Sequence, residues 1–165
     1  MERIAEFQKV SRERFLKDAE KTANAEKVYE TVKLPKRATA GSAGYDFFSP
    51  IDFTLAPGET IKIPTGIRAK INEGWVLQLY PRSGLGFKYR LTLNNTVGII
   101  DSDYYYSDNE GHIFAKITNA SNECKTVTVK AGEGFMQGIF MQYGITVDDD
   151  ASAVRNGGFG STTGK

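Results

Sequence analysis

The stretch TIKIPTGIRAKI, residues 60–71, sets Ile61, Ile63, Ile67 and Ile71 at even spacings. Side chains two apart on an extended chain project to one face, so the spacing predicts these isoleucines on one face of β structure. WVLQLY (75–80) and HIFAKITN (112–119) alternate likewise, and KTVTVKAGEGFMQGIFMQYGITV (125–147) supplies further short strands. Turn residues separate the runs: APGE at 56–59, NEGW at 72–75 and KAGEG at 130–134. Pro64 and Pro81 mark strand ends or edges. Many short strands with frequent turns predict an all-β sandwich or barrel. No internal repeat is visible.

The two ends of the chain read differently. In residues 1–26, Ser11 can cap a helix running to about Thr22, with Glu13 near its positive end. Phe15, Leu16 and Ala19 form a narrow apolar stripe, and Ile4, Phe7 and Val10 extend it. The expectation is an N-terminal helical extension packed outside a β body of residues 27–150; a subunit or partner contact is the rival reading. The tail, residues 151–165, ends in RNGGFGSTTGK and cannot build a core, so a flexible C-terminal arm is expected.

Composition removes several chemistries. The 165 residues suit one domain, and 40% hydrophobic content is enough for a core. A net charge of +1 gives no global field for nucleic acid or anionic lipid, and no run has the length of a membrane span. The N-terminus lacks the apolar core of a signal peptide, and Cys124 stands alone. A reducing cytoplasm is therefore the expected location. One histidine and one cysteine fall short of a zinc site. His112 is read as a plain surface or turn residue, and no G-x-S-x-G elbow accompanies it.

Some segments retain chemical possibilities. YPRSGLGFKY (80–89) ends a strand at Pro81 and offers Arg82, Ser83 and free amides, which can hold phosphate oxygens or simply form a surface turn. AGYDFFSP (43–50) places Asp46 to orient a cation or water, or to cap a turn. Gln137 in FMQGIF is either a ligand contact or a sheet-edge amide. The tail is not a Walker A loop, because the chain stops at Lys165. It is either a frayed end or an arm able to wrap an anion and lay Phe159 on a flat ring. GIIDSDYYYSDNEGH (98–112) delivers Asp101 from a strand that reads as buried, with Asp103 facing the other way if the strand persists.

In order, AGYDFF, PRSGLGFKY, NNTVGIIDSDY, GEGFMQ and RNGGFGSTTG resemble the five motifs of the trimeric deoxyuridine triphosphate nucleotidohydrolase (dUTPase) family. The resemblance spans residues 43–164 and implies a jelly-roll-like subunit, a homotrimer with shared active sites, and Mg²⁺-assisted hydrolysis of dUTP to dUMP and pyrophosphate. By motif position it implies Asp101 as the carboxylate that deprotonates the attacking water and Tyr104 beneath the deoxyribose. It assigns Asn95, Gly98 and nearby backbone to the uracil edge, and Arg82, Ser83, Gly84 and Gln137 to the phosphates. Phe159 stacks over uracil while Arg155, Ser161 and Thr162 close on the triphosphate. Asp46 stands near the metal, through water.

The chain departs from that family at three places. YYSDNEGH is longer than the usual turn after the motif tyrosine, so Tyr105–Glu110 are expected as an added hairpin tip. Gly134 replaces an arginine before the fourth motif's glutamine, and the Arg155-to-Phe159 spacing is one residue short. Two rival functions share the fold: a dCTP deaminase, which uses a glutamate in a different local setting, and a nucleotide-responsive binding module.

Overall fold

The computed structural model describes residues 2–157. Strand β1 (Ala5–Lys9) is followed by helices α1 (Arg12–Asp18) and α2 (Ala25–Thr31). Strands β2 (Lys36–Arg37), β3 (Tyr45–Phe48), β4 (Phe53–Leu55), β5 (Thr60–Pro64), β6 (Ile67–Ile71) and β7 (Trp75–Pro81) lead into helix α3 (Ser83–Tyr89). Then come β8 (Leu91–Leu93), β9 (Gly98–Ile100), a 3₁₀ turn (Ser102–Tyr106), β10 (Phe114–Asn119), β11 (Val127–Val129) and β12 (Gly134–Gln142).

The largest sheet runs β2-β3-β12-β7-β9, with every neighbour antiparallel. Its longest pairing sets Met136–Gln142 of β12 against Trp75–Pro81 of β7. A second sheet runs β5-β10-β8, and β11 with β4 and β1 with β6 make two-stranded pairs. The apolar residues of these layers meet in a core of Phe47, Ile63, Leu77, Leu91, Ile117 and Phe135, all essentially solvent-free. This is the mostly β body that the alternation predicts, in the jelly-roll-like form that the family resemblance implies. The isoleucine run is not one strand, however. Thr65 and Gly66 break it, and Ile61 and Ile63 belong to a different sheet from Ile67 and Ile71.

The N-terminal segment departs further from expectation. Ser11 does cap α1, its hydroxyl accepting from the Arg14 amide at 3.1 Å, but the helix ends at Asp18 rather than Thr22. Ile4, Phe7 and Val10 do not extend it. They lie in or beside β1, which pairs with β6 from Ala5↔Ile71 to Lys9↔Ile67. Phe7 packs edge-on against Tyr45 and Phe47, with ring centroids 5.3 and 5.5 Å away. A ready sheet edge and an aromatic socket outweigh the weak helical spacing. The chain also turns to β structure later than Lys27, because α2 occupies Ala25–Thr31. Val10, Phe15, Ala19 and Val32 join the same buried cluster as the sheets. Burying a side chain such as Phe15 fully contributes about 2–3 kcal/mol.

His112 is not a surface residue; it is fully buried. Its Nδ1 donates to Asp18 Oδ2 at 2.6 Å, and its Nε2 accepts the Gly66 amide at 2.9 Å. A ring nitrogen that accepts a backbone N–H carries no proton, so the imidazole is neutral with its hydrogen on Nδ1. The charged bond to Asp18 ties α1 to the body and contributes about 1.5–3 kcal/mol.

Burial lowers the His112 pKa, and it outweighs the opposing pull of Asp18; Arg14 and Glu110 are the other charges in reach. An unfolded chain takes up this proton near the ordinary value of 6.5, while the folded chain resists it. The contribution to stability is therefore complete above 6.5 and is lost as pH falls through the depressed folded value. Urea unfolding midpoints should decline between ~pH 7 and ~pH 5, and His112→Gln should flatten that decline while lowering the midpoint throughout.

Candidate active site

One group of the expected site residues gathers where β7 enters α3. Arg82 caps α3, and its Nε lies 3.2 Å from Asp46 Oδ1 on β3. Its Nη1 donates to the Gly134 carbonyl at 3.3 Å. Gln137 sits opposite Asp46 on one side and Tyr80 on the other, because β12 lies between β3 and β7. The Gln137 amide donates to the Pro81 carbonyl at 3.3 Å. Ser83 and Gly84 open α3, where the first backbone amides lack helical partners. A groove of about 500 Å³ runs past Arg82, Ser83, Gly84, Thr128, Glu133 and Gly134, and Glu133 Oε2 is taken up by the Lys130 amide at 2.9 Å. A guanidinium, a hydroxyl and free amides around one groove suit the oxygens of a polyphosphate.

Gly134 also acquires a reason. A Cβ there would stand 2.8 Å from Arg82 Nη1, so the glycine leaves space for the guanidinium to lie across it.

The second group lies along and beyond β9. Asn95 sits in the exposed turn before it, and Gly98 opens the strand. Both line a cavity of about 450 Å³ with Ile99, Phe114, Lys62 and Lys116. Asp101 follows the strand, half-buried, and the chain then coils into the 3₁₀ turn. Tyr104 in that turn is 5% exposed. Its hydroxyl donates to the His112 carbonyl and accepts from Asn109 Nδ2, each at 2.7 Å. Burial raises its pKa above the ordinary phenol value of 10, against the opposing effect of the Asn109 bond, so it is a neutral donor.

Asp103 does not face away from Asp101. The strand ends at Ile100, and the 3₁₀ turn swings both carboxylates toward Arg155. Arg155 Nη2 meets Asp101 Oδ2 at 2.5 Å, and Nε meets Asp103 Oδ1 at 2.8 Å. Its guanidinium stands 5.9 Å from the Tyr104 ring centre. Residues 105–110 are likewise no hairpin tip: they continue the 3₁₀ turn into a tight loop against α1. Phe159, Ser161 and Thr162 lie outside the described residues.

These two groups are well separated within the chain. β9 pairs antiparallel with β7, Ile100 opposite Leu77 and Gly98 opposite Leu79. Asp101 thus continues toward the start of β7, whereas Arg82 follows its end. At the usual rise per strand residue the two lie roughly 20 Å apart along the strand. Among the described residues no three or more His, Cys, Asp or Glu side chains are grouped to hold a metal. Sequence reasoning missed Asp18 and Glu110, whose partners lie far along the chain, and no local spacing marks them.

A family model for dUTPase matches residues 30–163. The deoxyuridine 5'-triphosphate nucleotidohydrolase of Lactococcus lactis is 43% identical over 134 residues, covering 79% of this chain and 88% of its own. The crystal structure of the dUTPase from Streptococcus mutans is 36% identical, with a TM-score of 0.65, covering 87% of this chain and 98% of its own. A variant dUTPase from phage phi11 of S. aureus, described with a structural Mg(II) ion, shares the fold at 20% identity and a TM-score of 0.63, covering 92% of this chain and 98% of its own. Fold, phosphate-suited groove and sequence together define a nucleotide hydrolase of the jelly-roll class. The chain belongs to the dUTPase family.

Gly134→Ala should leave thermal stability nearly unchanged, because what must move is the half-exposed Arg82 side chain from Cδ outward and no backbone. It should displace Arg82 and raise KM for the nucleotide several-fold, read by steady-state kinetics.

Proposed function

We propose that the chain works as a homotrimer whose active sites each combine groups from more than one copy. The activity is hydrolysis of dUTP to dUMP and pyrophosphate, that of a dUTP diphosphatase. The observation that carries the shared-site reading is the roughly 20 Å between Asp101 and Arg82 along β7, too far for one triphosphate to bridge easily within a single chain.

In this reading Asn95 and the backbone at Gly98 read the uracil edge, and the Tyr104 ring packs beneath the deoxyribose. That packing leaves no space for a 2′-hydroxyl. Arg82, Ser83, Gly84 and Gln137 hold the phosphates. Asp101 orients a water in line with the α-phosphorus and accepts its proton as the oxygen attacks. Pyrophosphate leaves from the opposite side. Arg155 gives up Asp101 and Asp103 for triphosphate oxygens as the arm closes, which frees the base at the moment it is needed. Phe159 stacks over uracil, and Ser161 and Thr162 complete the closure, excluding bulk water from the phosphates.

The donor set suits Mg²⁺. That ion keeps several waters and is commonly held by substrate phosphates with one or two carboxylates, so Asp46, ion-paired to Arg82 of the phosphate groove, would reach it through water rather than as part of a protein cage. When bound, Mg²⁺ supplies charge neutralisation on the triphosphate. We place the enzyme in the cytoplasm, acting on free dUTP to remove it and to supply dUMP for dTTP synthesis. No helix among the described residues is long and apolar enough to cross a membrane.

Pyrophosphate release with dUTP, UTP and dCTP, with and without Mg²⁺, should show strong preference for dUTP and a metal requirement; ammonia from dCTP would instead indicate a deaminase. Asp101→Asn should lower kcat at least about 100-fold with little change in KM. Mixing inactive Asp101→Asn and Arg82→Ala subunits, with exchange, should restore about a quarter of wild-type activity if each site draws these residues from different copies. No recovery in exchanged mixtures would contradict shared sites. Deleting residues 155–165 should abolish most turnover and leave the unfolding transition intact.

A further inference from the structure

Residues 102–112 leave the sheet after β9 and are held largely by the N-terminal segment. The Ser11 amide and hydroxyl both donate to the Glu110 carboxylate, at 2.8 and 2.6 Å. Arg14 donates to the Asp108 carbonyl at 3.0 Å, and the Tyr105 hydroxyl donates to Gln8 Oε1 at 2.7 Å. Asp18 holds His112 at the far end of the loop. Arg68 of β6 completes the seat: it donates to the Tyr105 carbonyl at 2.6 Å and lays its guanidinium 3.6 Å from the centre of that ring.

The loop in turn holds Tyr104 at both ends of its hydroxyl, through the His112 carbonyl and the Asn109 amide. It also presses on the tyrosine directly. Gly111 has φ +67°, and a Cβ there would come within 2.7 Å of the Tyr104 carbonyl oxygen. Glu110 before it is left-handed too, with φ 58°, a conformation that costs free energy for a residue with a side chain. The two bonds from Ser11 fall on that residue. Val10 and Phe15 anchor the N-terminal segment in the core, so the Ser11 and Asp18 bonds tie the loop to a fixed support.

We propose that Ser11 and Asp18 are positioning residues for Tyr104: through Glu110 and His112 the N-terminal segment fixes the tyrosine ring and thereby sets the preference for deoxyribose over ribose. The inference rests on the reading of Tyr104 as the surface beneath the sugar. Tyr104 touches the substrate in that reading; Ser11 and Asp18 act only through it.

The test is the ratio of kcat/KM for UTP to that for dUTP, in the full-length enzyme at a temperature well below its unfolding. A loss of folded protein lowers both values equally and leaves the ratio alone, whereas a displaced ring changes it. Asp18→Ala should raise the ratio roughly tenfold, and Asp18→Asn, which keeps an acceptor for His112 Nδ1, should restore most of the discrimination. Should Asp18→Ala fail to fold, the Ser11→Ala and Glu110→Gln double variant decides, since both side chains contact each other at the surface. Tyr104→Leu is the control. If it raises the ratio while the Asp18 and Ser11/Glu110 variants leave it unchanged, the positioning role is overturned and the reading of Tyr104 stands. If Tyr104→Leu also leaves the ratio unchanged, both fall.

Discussion

The antiparallel pairing of β7 with β12 is the constraint on which the rest of this structure depends. Its register puts Gln137 opposite Tyr80, two residues before Arg82, and carries β3 with Asp46 along its far side. The other edge of β7 carries β9 and so fixes the direction in which Asp101 leaves the sheet. A one-residue slip would turn Leu77 and Leu79 out of the core and Gln78 into it. Burial therefore locks the register, and the register sets where Arg82, Gln137, Asp46 and Asp101 stand.

Much of this was legible in the sequence because the information was local. Alternation of apolar residues marks a strand whatever its partner, and the turns between the runs carry their own chemistry. The ordered motifs single out Arg82 and Gln137, which the fold brings together at the end of β7. What was not legible depended on distant partners. Ile4, Phe7 and Val10, spaced by three, fit a helix as well as a strand; only the open edge of β6 and the ring cluster at Tyr45 and Phe47 decide for β structure. His112 looks unremarkable in sequence because Asp18 and Gly66, which bond its two ring nitrogens, are nowhere near it along the chain. Asp103 would face away from Asp101 only on a continuing strand; β9 ends at Ile100 and the backbone coils into a 3₁₀ turn, which alternation alone does not reveal.

The pairing of Arg155 with Asp101 and Asp103 sets one guanidinium between two carboxylates. In the proposed function a triphosphate offers that guanidinium a stronger concentration of negative charge. On that proposal, exchange of one anion for the other would uncover Asp101 as Arg155 leaves it. Both carboxylates stand on the turn that begins where β9 ends, so the geometry of that exchange is inherited from the sheet.

The pairing of β1 with β6 has a consequence for how the molecule is made and handled. Among the described residues β1 is the strand that pairs with β6 from Ile67 to Ile71, and beyond it the Ile67 carbonyl takes the Ile113 amide at 2.9 Å. During synthesis β1 emerges long before that partner exists, and Phe7 and Phe15 must wait in the open for their sockets. A chain trimmed or pulled at this end would present β6 as a bare edge able to recruit a strand from a neighbour. A purification tag joined near Glu2 is thus attached to structural sheet, and aggregation is the failure to watch for when that junction is crowded.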